Sequence, residues 1–242
     1  MERVVYEQMA ELDDRHWWYR ARREVLAHLI RREACLPKDA KILELGCGTG
    51  HNLAMLGSFG HVDGLELDEQ ARALSERRLG RKVMSAPLPE LAGVPDRSYD
   101  LIGAFDVIEH IDDDVAALAS IAEKLKPTGK FVMTVPAHQW MWSAHDVVNH
   151  HKRRYSKRDL KALIEGSPMK LERVGYFNSL LFPLAVAQRA ASKVRGAENA
   201  DVSLPPAPIN TALEKVFAAE RHFVGRLPLP PGLSLFAVAS AR

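Results

Sequence analysis

The decapeptide Lys41-Ile-Leu-Glu-Leu-Gly-Cys-Gly-Thr-Gly50 decides the fold of this chain. Its first half is an apolar run typical of a buried strand, and its second half has glycine at every other position. A helical pattern follows from His51 to Phe59. Strand, glycine loop and helix in this order indicate a nucleotide-binding turn, because glycine adopts positive φ and lets a ligand approach the main chain closely.

The spacing of the glycines separates two classes of ligand. Dinucleotide-binding turns have the pattern G-x-G-x-x-G, in which the last glycine packs the helix against the strand. Here His51 occupies that position, and Gly50 comes one residue early. A pyrophosphate ligand is therefore disfavoured, and the acid Glu44 before the loop suits a cationic ligand better than a phosphate.

The segment Glu44-Leu-Gly-Cys-Gly-Thr-Gly50 resembles motif I of the class I S-adenosylmethionine (SAM) methyltransferases. The resemblance implies SAM as the cofactor and S-adenosylhomocysteine (SAH) as the product, with the methionine ammonium near Glu44 and the glycine loop beneath the methionine and ribose. It also implies a single α/β domain with a seven-stranded Rossmann-like sheet whose last strand is antiparallel to the rest.

A second acid lies about 20 residues beyond the loop, where a carboxylate can accept hydrogen bonds from both ribose hydroxyls. In the methyltransferase pattern this acid aligns with Glu66, which is favoured over the alternative Asp68 as the ribose acceptor, and Asp68 is expected to cap the next helix. Relatives often carry an acid for the adenine amino group after the third strand, but this chain has Ser85 and Ala86 there. Backbone contacts to adenine are therefore expected.

The run Val107-Ile-Glu-His-Ile111 resembles the V-L-E-H run of ubiquinone-biosynthesis O-methyltransferases. His110 could act as a base, contact the cofactor or cap a helix. The start His16-Trp-Trp-Tyr-Arg20 resembles that of an uncharacterised bacterial branch of SAM methyltransferases, which implies a helical lid over the cofactor. Arg20 and Arg23 share a helix face, so either could contact the methionine carboxylate. Alternatively, the aromatic segment is a hydrophobic staple that covers the sheet edge, and both arginines lie in solvent.

The predicted cofactor-binding residues come from these five segments. They are Arg23, Glu44, Gly46, Cys47, Gly48, Gly50, Glu66, Leu67, Ala86, Phe105, Asp106, Val107 and His110.

Histidine and aspartate are concentrated after the fifth predicted strand, where loops overhang the ligand-binding edge of a parallel sheet. His145, Asp146 and His151 are the candidate catalytic residues, since a histidine beside a carboxylate can act as a general base. A structural role for these histidines is an equal alternative. No spacing matches a known ligand motif, so no metal site is predicted.

Strand and helix patterns alternate along the chain, which predicts a parallel sheet with right-handed crossovers. Residues 36–178 are expected to form the cofactor-binding core, after a helical lid at 1–35 and before a helical cap insertion at 179–232 and a last strand at 233–242. Within the insertion, Gly196–Pro208 is expected to connect two helices. The predicted strands are Lys41–Leu45, His61–Leu67, Lys82–Ser85, Tyr99–Phe105, Lys130–Val135, Leu171–Phe177 and Leu235–Ser240.

Composition indicates which binding partners and which cellular compartment are expected. The 242 residues carry a formal net charge of +2, which does not indicate nucleic-acid binding, and two cysteines form no disulfide framework. A cytoplasmic location is expected, and no apolar run approaches the ~20 residues that span a bilayer. The segment Leu180–Ala187, followed by basic residues, allows peripheral membrane contact. Nothing in the sequence indicates an oligomeric state.

The acceptor of the methyl group is not identified by any motif, so a small molecule, a saccharide and a lipid-linked compound all stay open, as do O-, N- and C-methylation. Three other functions also stay open. They are a SAM-binding interaction module without catalysis, an NAD-dependent oxidoreductase, which His51 disfavours, and an aminopropyltransferase. The last usually needs an aspartate-rich acceptor site, whereas Asp112-Asp-Asp114 looks like a helix start.

Overall fold

A computed structural model describes residue 6 and residues 10–195 and 203–242 of the chain, with the side chains of residues 192–195 excluded. Its centre is a six-stranded sheet in the order β2-β1-β3-β4-β6-β5. The sixth strand pairs antiparallel with both of its neighbours, and the other pairs are parallel. The strands are β1 Ala40–Leu45, β2 Gly60–Leu65, β3 Tyr99–Phe105, β4 Leu125–Pro136, β5 Met169–Phe177 and β6 Ser234–Ala241.

The prediction of seven strands is wrong, because Lys82–Ser85 forms no strand. Met84 makes only an isolated parallel bridge to Leu65, with its N–H donating to Gly64 and its carbonyl accepting from Glu66. The segment would be an edge strand beyond β2, and Pro87 soon follows it without an N–H to extend the ladder. The α/β class and the antiparallel last strand are confirmed.

Helices cover both faces of the sheet. Strands whose side chains are apolar on both faces need this arrangement, because each face has to be buried. All seven residues of β3 are buried. The helices are α1 Trp17–Glu33, α2 His51–Gly57, α3 Glu69–Leu79, α4 Asp114–Lys124, α5 Ala144–Val148, α6 Lys157–Glu165, α7 Phe182–Arg195 and α8 Ala207–Ala218, with short 3₁₀ turns at Ile108–His110, Gln139–Met141 and Ala219–His222. The predicted cap Asp68 of α3 is confirmed, and Ser156 caps α6 in the same way.

The N-terminal helix and the late insertion pack against each other on one face of the sheet. The ring of Trp17 in α1 meets Phe217 in α8 edge-on at 6.2 Å, and the Trp17 N–H donates to Asn210 Oδ1 at 3.0 Å. Residues 1–5 and 7–9 of the predicted lid, and residues 196–202 of the predicted connection Gly196–Pro208, lie outside the described residues. Among the helices that are described, none combines the length and the apolar character needed to cross a bilayer.

A buried carboxylate, Glu220, holds the turn between β5 and α7. Its two oxygens accept the backbone N–H groups of Asn178, Ser179 and Leu180 at 2.6–2.7 Å. Glu220→Ala is expected to lower the free energy of unfolding by about 2 kcal/mol, because buried donors would lose their acceptor. Urea unfolding measures this loss. Glu214→Ala, which removes only a pair with the half-exposed Arg20, should cost about 0.5 kcal/mol or less; equal losses in the two variants would contradict the assigned role of Glu220.

Candidate functional site

The glycine loop after β1 has the backbone conformation that its glycines permit. Gly46, Gly48 and Gly50 all have positive φ, between +54° and +86°. A Cβ at Gly46 would lie 2.8 Å from Cγ2 of Val107, which follows β3, and one at Gly50 would lie 2.9 Å from Cα of Ser75 in α3. Larger residues are therefore excluded at both positions by strain and by space.

Glu66, directly after β2, faces this loop. Its Oε2 accepts the N–H of Gly48 at 2.8 Å, and its Oε1 accepts the N–H of Asp68 at 2.9 Å. Burial raises the pKa of Glu66, against the effect of these backbone hydrogen bonds. A carboxylate has about four acceptor positions, so Glu66 can accept further hydrogen bonds from a ligand over the loop.

Glu44 lies within β1 and is fully buried. Its Oε1 accepts from Asn52 Nδ2 at 2.8 Å, whereas its Oε2 has no hydrogen-bond partner. Burial raises the pKa of Glu44 to about 8. An unpaired buried carboxylate oxygen is costly unless a donor or a positive charge meets it, so this position fits a cationic ligand.

Arg22 of α1, rather than Arg20 or Arg23, reaches the carboxyl ends of the strands. Its Nη2 donates to Asp106 Oδ2 and to Thr134 Oγ1, both at 2.7 Å. Thr134 Oγ1 in turn donates to Asp106 Oδ1 at 3.1 Å. Helical periodicity could have identified Arg22 in the sequence, because Arg22 shares a helix face with the buried residues Val25, Leu26 and Leu29.

Arg23 joins the N-terminal segment to the start of α2. It forms an ion pair with the buried Asp13, and the other oxygen of Asp13 lies 3.6 Å from His51 Nε2. His51 Nδ1 lies 3.0 Å from Asp14 Oδ1. Burial, followed by the charges of Glu66 and Asp68, raises the pKa of the Tyr6 phenol. The predicted site residue Arg23 is thus linked through Asp13 to His51, the first residue of α2.

The other predicted cofactor residues differ in exposure. Cys47 is a buried free cysteine, and its Sγ lies 3.6 Å from Ser75 Oγ. Ala86 and Phe105 are buried, whereas Leu67 is 54% exposed. Asp106 has a φ of +60°, which turns the chain sharply at the end of β3 and brings Val107 against Gly46.

The predicted catalytic residues lie in and after α5, and two of them are directly bonded. His151 Nδ1 lies 2.9 Å from Oδ1 of the buried Asp146, which also accepts from Arg154 Nε at 2.7 Å. Burial raises the pKa of Asp146, but the hydrogen bonds from His151 and Arg154 bring it well below its usual range. His145 is exposed and lies edge-on to His151, with ring centroids 6.2 Å apart.

Glu109 was not predicted as a site residue, and it lies against the same histidines. It is fully buried, and neither carboxylate oxygen has a hydrogen-bond partner. Its Oε1 is 3.9 Å from His151 Nε2, and the rings of His110 and His151 are 4.8 Å apart. Burial, followed by the charge of His151, lowers the pKa of His110 to about 4. Folding therefore joins the run after β3 to the loop after β4.

A family model for methyltransferase domains matches residues 17–170. The chain belongs to this family. The match includes the glycine loop, Glu66, Asp106 and the histidine loop, and it confirms the resemblance carried by Glu44–Gly50. The matched residues include strands β1 to β4 and the acids at their carboxyl ends.

Individual relatives agree with this assignment. A probable SAM-dependent methyltransferase of Mycolicibacterium smegmatis is 28% identical over 165 residues, covering 66% of this chain and 62% of its own length. One of Mycobacterium tuberculosis is 33% identical over 128 residues, covering 52% of this chain and 45% of its own. The chain thus spans about half the length of the curated relatives it matches.

Solved structures share the fold. A chain from the complex between the Haloferax volcanii Trm112 methyltransferase activator and a methyltransferase has a TM-score of 0.63 at 17% identity, covering 99% of this chain and 94% of that one. A TehB-like SAM-dependent methyltransferase from Corynebacterium glutamicum has a TM-score of 0.55 at 21% identity, covering 90% and 88%. At these identities the likeness concerns the fold alone.

Proposed function

We propose that this protein is a SAM-dependent methyltransferase that transfers a methyl group to an oxygen, nitrogen or carbon of an acceptor. The observation that carries the proposal is the unpaired buried oxygen of Glu44 beside a loop of three left-handed glycines. A dinucleotide would place phosphates at this loop, where Glu44 would repel them. A cationic adenosyl cofactor satisfies the carboxylate instead.

The residues around the loop divide the recognition of SAM between them. Glu44 would accept a hydrogen bond from the methionine ammonium, and Glu66 would accept from the ribose hydroxyls. Gly46, Cys47, Gly48 and Gly50 would line the approach of the methionine and ribose. Leu67, Ala86, Phe105, Val107 and His110 would surround the rest, and Arg23 would hold the lid segment through Asp13.

Methyl transfer from SAM mainly requires the protein to align the methyl donor with the acceptor. SAM supplies a methyl group already activated by its sulfonium. The chain's part is to hold the acceptor in line and exclude water, which can contribute several kcal/mol. Asp106, fixed by Arg22 and Thr134, lies at the strand end where the acceptor would meet the methyl group.

A general base is needed when the acceptor has to lose a proton. We infer that His151 takes this proton, with Asp146 fixing its tautomer through the 2.9 Å contact to Nδ1, and with His145 beside it. Nδ1 then carries the hydrogen and Nε2 is the basic nitrogen. The assignment leaves the acceptor atom open.

Apolar side chains on the same side of the sheet suit an acceptor with a hydrophobic part. The ring of His138 stacks on Tyr176 at 5.4 Å and lies 5.2 Å from Phe182 at the start of α7. Trp140 and Leu184 are more than half exposed there. These contacts support a small-molecule, saccharide or lipid-linked acceptor held between the loop after β4 and α7, in a cytoplasmic enzyme that touches membranes at most peripherally.

Calorimetry with the purified full chain tests the proposal. SAM and SAH should each bind at one site per chain, whereas NADH should not bind, because Glu44 and His51 disfavour a pyrophosphate. An absence of SAM binding, or tight binding of NADH, would overturn the proposed function. Formation of SAH in the presence of candidate acceptors then separates an enzyme from a SAM-binding module without catalysis.

A further inference from the structure

Glu109, His110 and His151 lie together after β3 and β4, and the proposed roles of His110 near the cofactor and of His151 as a base do not explain why the buried Glu109 faces them. Each of these residues offers one ligand atom, and the three atoms lie within 4.8 Å of one another. Two imidazoles and one carboxylate form a donor set that zinc, iron and related divalent transition ions prefer. No spacing in the sequence indicated it, because Glu109 and His151 are brought together only by the fold.

The environment of Glu109 points to a ligand rather than to a structural pair. The side chain is fully buried, and both of its oxygens lack a hydrogen-bond partner. A buried carboxylate without partners is costly. The charged groups that act on it are the carboxylate of Asp106 and the guanidinium groups of Arg22 and Arg154, and none of them is hydrogen-bonded to it. A cation between Glu109 and the two histidines would supply the missing partner.

The surroundings of His151 complete the pattern of a metal site. Nδ1 of His151 is bonded to Asp146, so Nε2 is directed at Glu109, 3.9 Å from its Oε1. Histidine ligands in metal sites commonly make this second bond to a carboxylate, which fixes the tautomer and the ring orientation. Asp146 is itself held by the Ser143 N–H and Arg154 Nε.

The distances suit one ion. Ligand atoms bonded to one ion at about 2.0–2.2 Å lie roughly 3–4 Å apart. The Glu109 to His151 distance of 3.9 Å already falls in this range. The separation of up to 4.8 Å within the triad closes with side-chain rotations of about 1 Å.

We propose that Glu109, His110 and His151 form a binding site for one divalent transition-metal ion, positioned by Asp146 and bordering the glycine loop through Val107. An ion bound there would occupy the lone pair of His151 Nε2, so the base function proposed for His151 belongs to the metal-free protein. The site is built from two loops that the fold brings together after β3 and β4. Its existence does not depend on SAM, so it can be tested without the cofactor.

Cobalt(II) is the probe, added to the full-length chain after treatment with a chelator. Calorimetry and the visible absorption of Co²⁺ should report one tight equivalent. Glu109→Gln keeps the shape of the side chain and removes its charge, and it should raise the Kd for Co²⁺ at least about tenfold. His151→Ala should do the same. Circular dichroism checks that each variant is folded.

His150→Asn is the matched control, because His150 is an exposed neighbour in the same loop with a φ of +57°, which asparagine tolerates. Co²⁺ affinity should be unchanged in this variant. The proposal is overturned if the wild type binds no tight equivalent, or if Glu109→Gln and His150→Asn bind Co²⁺ equally. Neither outcome would affect SAM binding, so failure here is distinguishable from failure of the proposed function.

Discussion

Glu66→Ala is expected to weaken SAM binding about 100-fold. Each hydrogen bond to a charged group contributes about 1.5–3 kcal/mol, so the loss of two from the ribose hydroxyls amounts to about 3 kcal/mol or more. A loss of about 1.4 kcal/mol corresponds to a tenfold change in Kd. The variant would also free the Gly48 N–H, which now donates to Glu66 at 2.8 Å, and so loosen the loop itself. Calorimetry of the variant against the wild type measures the change.

Asp68→Ala is the control for this prediction. Asp68 is another acid only two residues away, but its Oδ1 accepts the Ala71 N–H at 2.8 Å as the N-cap of α3. Its loss should cost about 1 kcal/mol of stability and leave the Kd for SAM within about twofold. If Glu66→Ala bound SAM as tightly as the wild type, the ribose assignment would be wrong while the methyltransferase proposal would stand.

The predictable part of the fold was the part with strong local patterns. Lys41–Leu45 and Tyr99–Phe105 each have a continuous apolar run, and the structure matches them within a residue. The third predicted strand, Lys82–Ser85, does not form, because a four-residue segment at the edge of a sheet depends on pairing with β2, and the prolines after Ser85 limit that pairing to one bridge. A local sequence pattern does not show whether an edge segment will pair with its neighbouring strand.

The site divides in the same way. Glu44, Gly46–Gly50 and Glu66 stand at fixed distances along one strand–loop–helix–strand unit, so spacing alone could indicate them. Arg22 and Glu109 could not be found by spacing, since their partners Asp106 and His151 are 84 and 42 residues away. Arg22 is distinguished from solvent-exposed charges only by its place on the apolar face of its helix, and Glu109 lies in a short turn that gives no such pattern.

The pair between Arg22 and Asp106 is expected to have a large effect on stability. The Arg22 side chain is 8% exposed, and it lies over the rings of Trp18 and Phe105 at 5.0 and 6.0 Å. Arg22→Met keeps most of this packing but leaves Asp106 without its cation, so we expect a loss of about 3 kcal/mol in the free energy of unfolding. Urea unfolding measures it. Arg20→Met on the same helix removes an exposed charge and should cost about 0.5 kcal/mol or less.

A double-mutant cycle separates the ion pair from packing. Asp106 has a φ of +60°, so asparagine, which tolerates this conformation, is the matched replacement. If the pair itself stabilises the fold, Arg22→Met and Asp106→Asn together should cost at least about 1 kcal/mol less than the sum of the two single losses. Strict additivity would mean that Arg22 stabilises the domain through its contacts with the aromatic rings. The coupling energy therefore decides whether charge holds the first helix over the strand ends. Because a buried ion pair is screened little by salt, high salt should leave the contact between α1 and the strand ends largely intact.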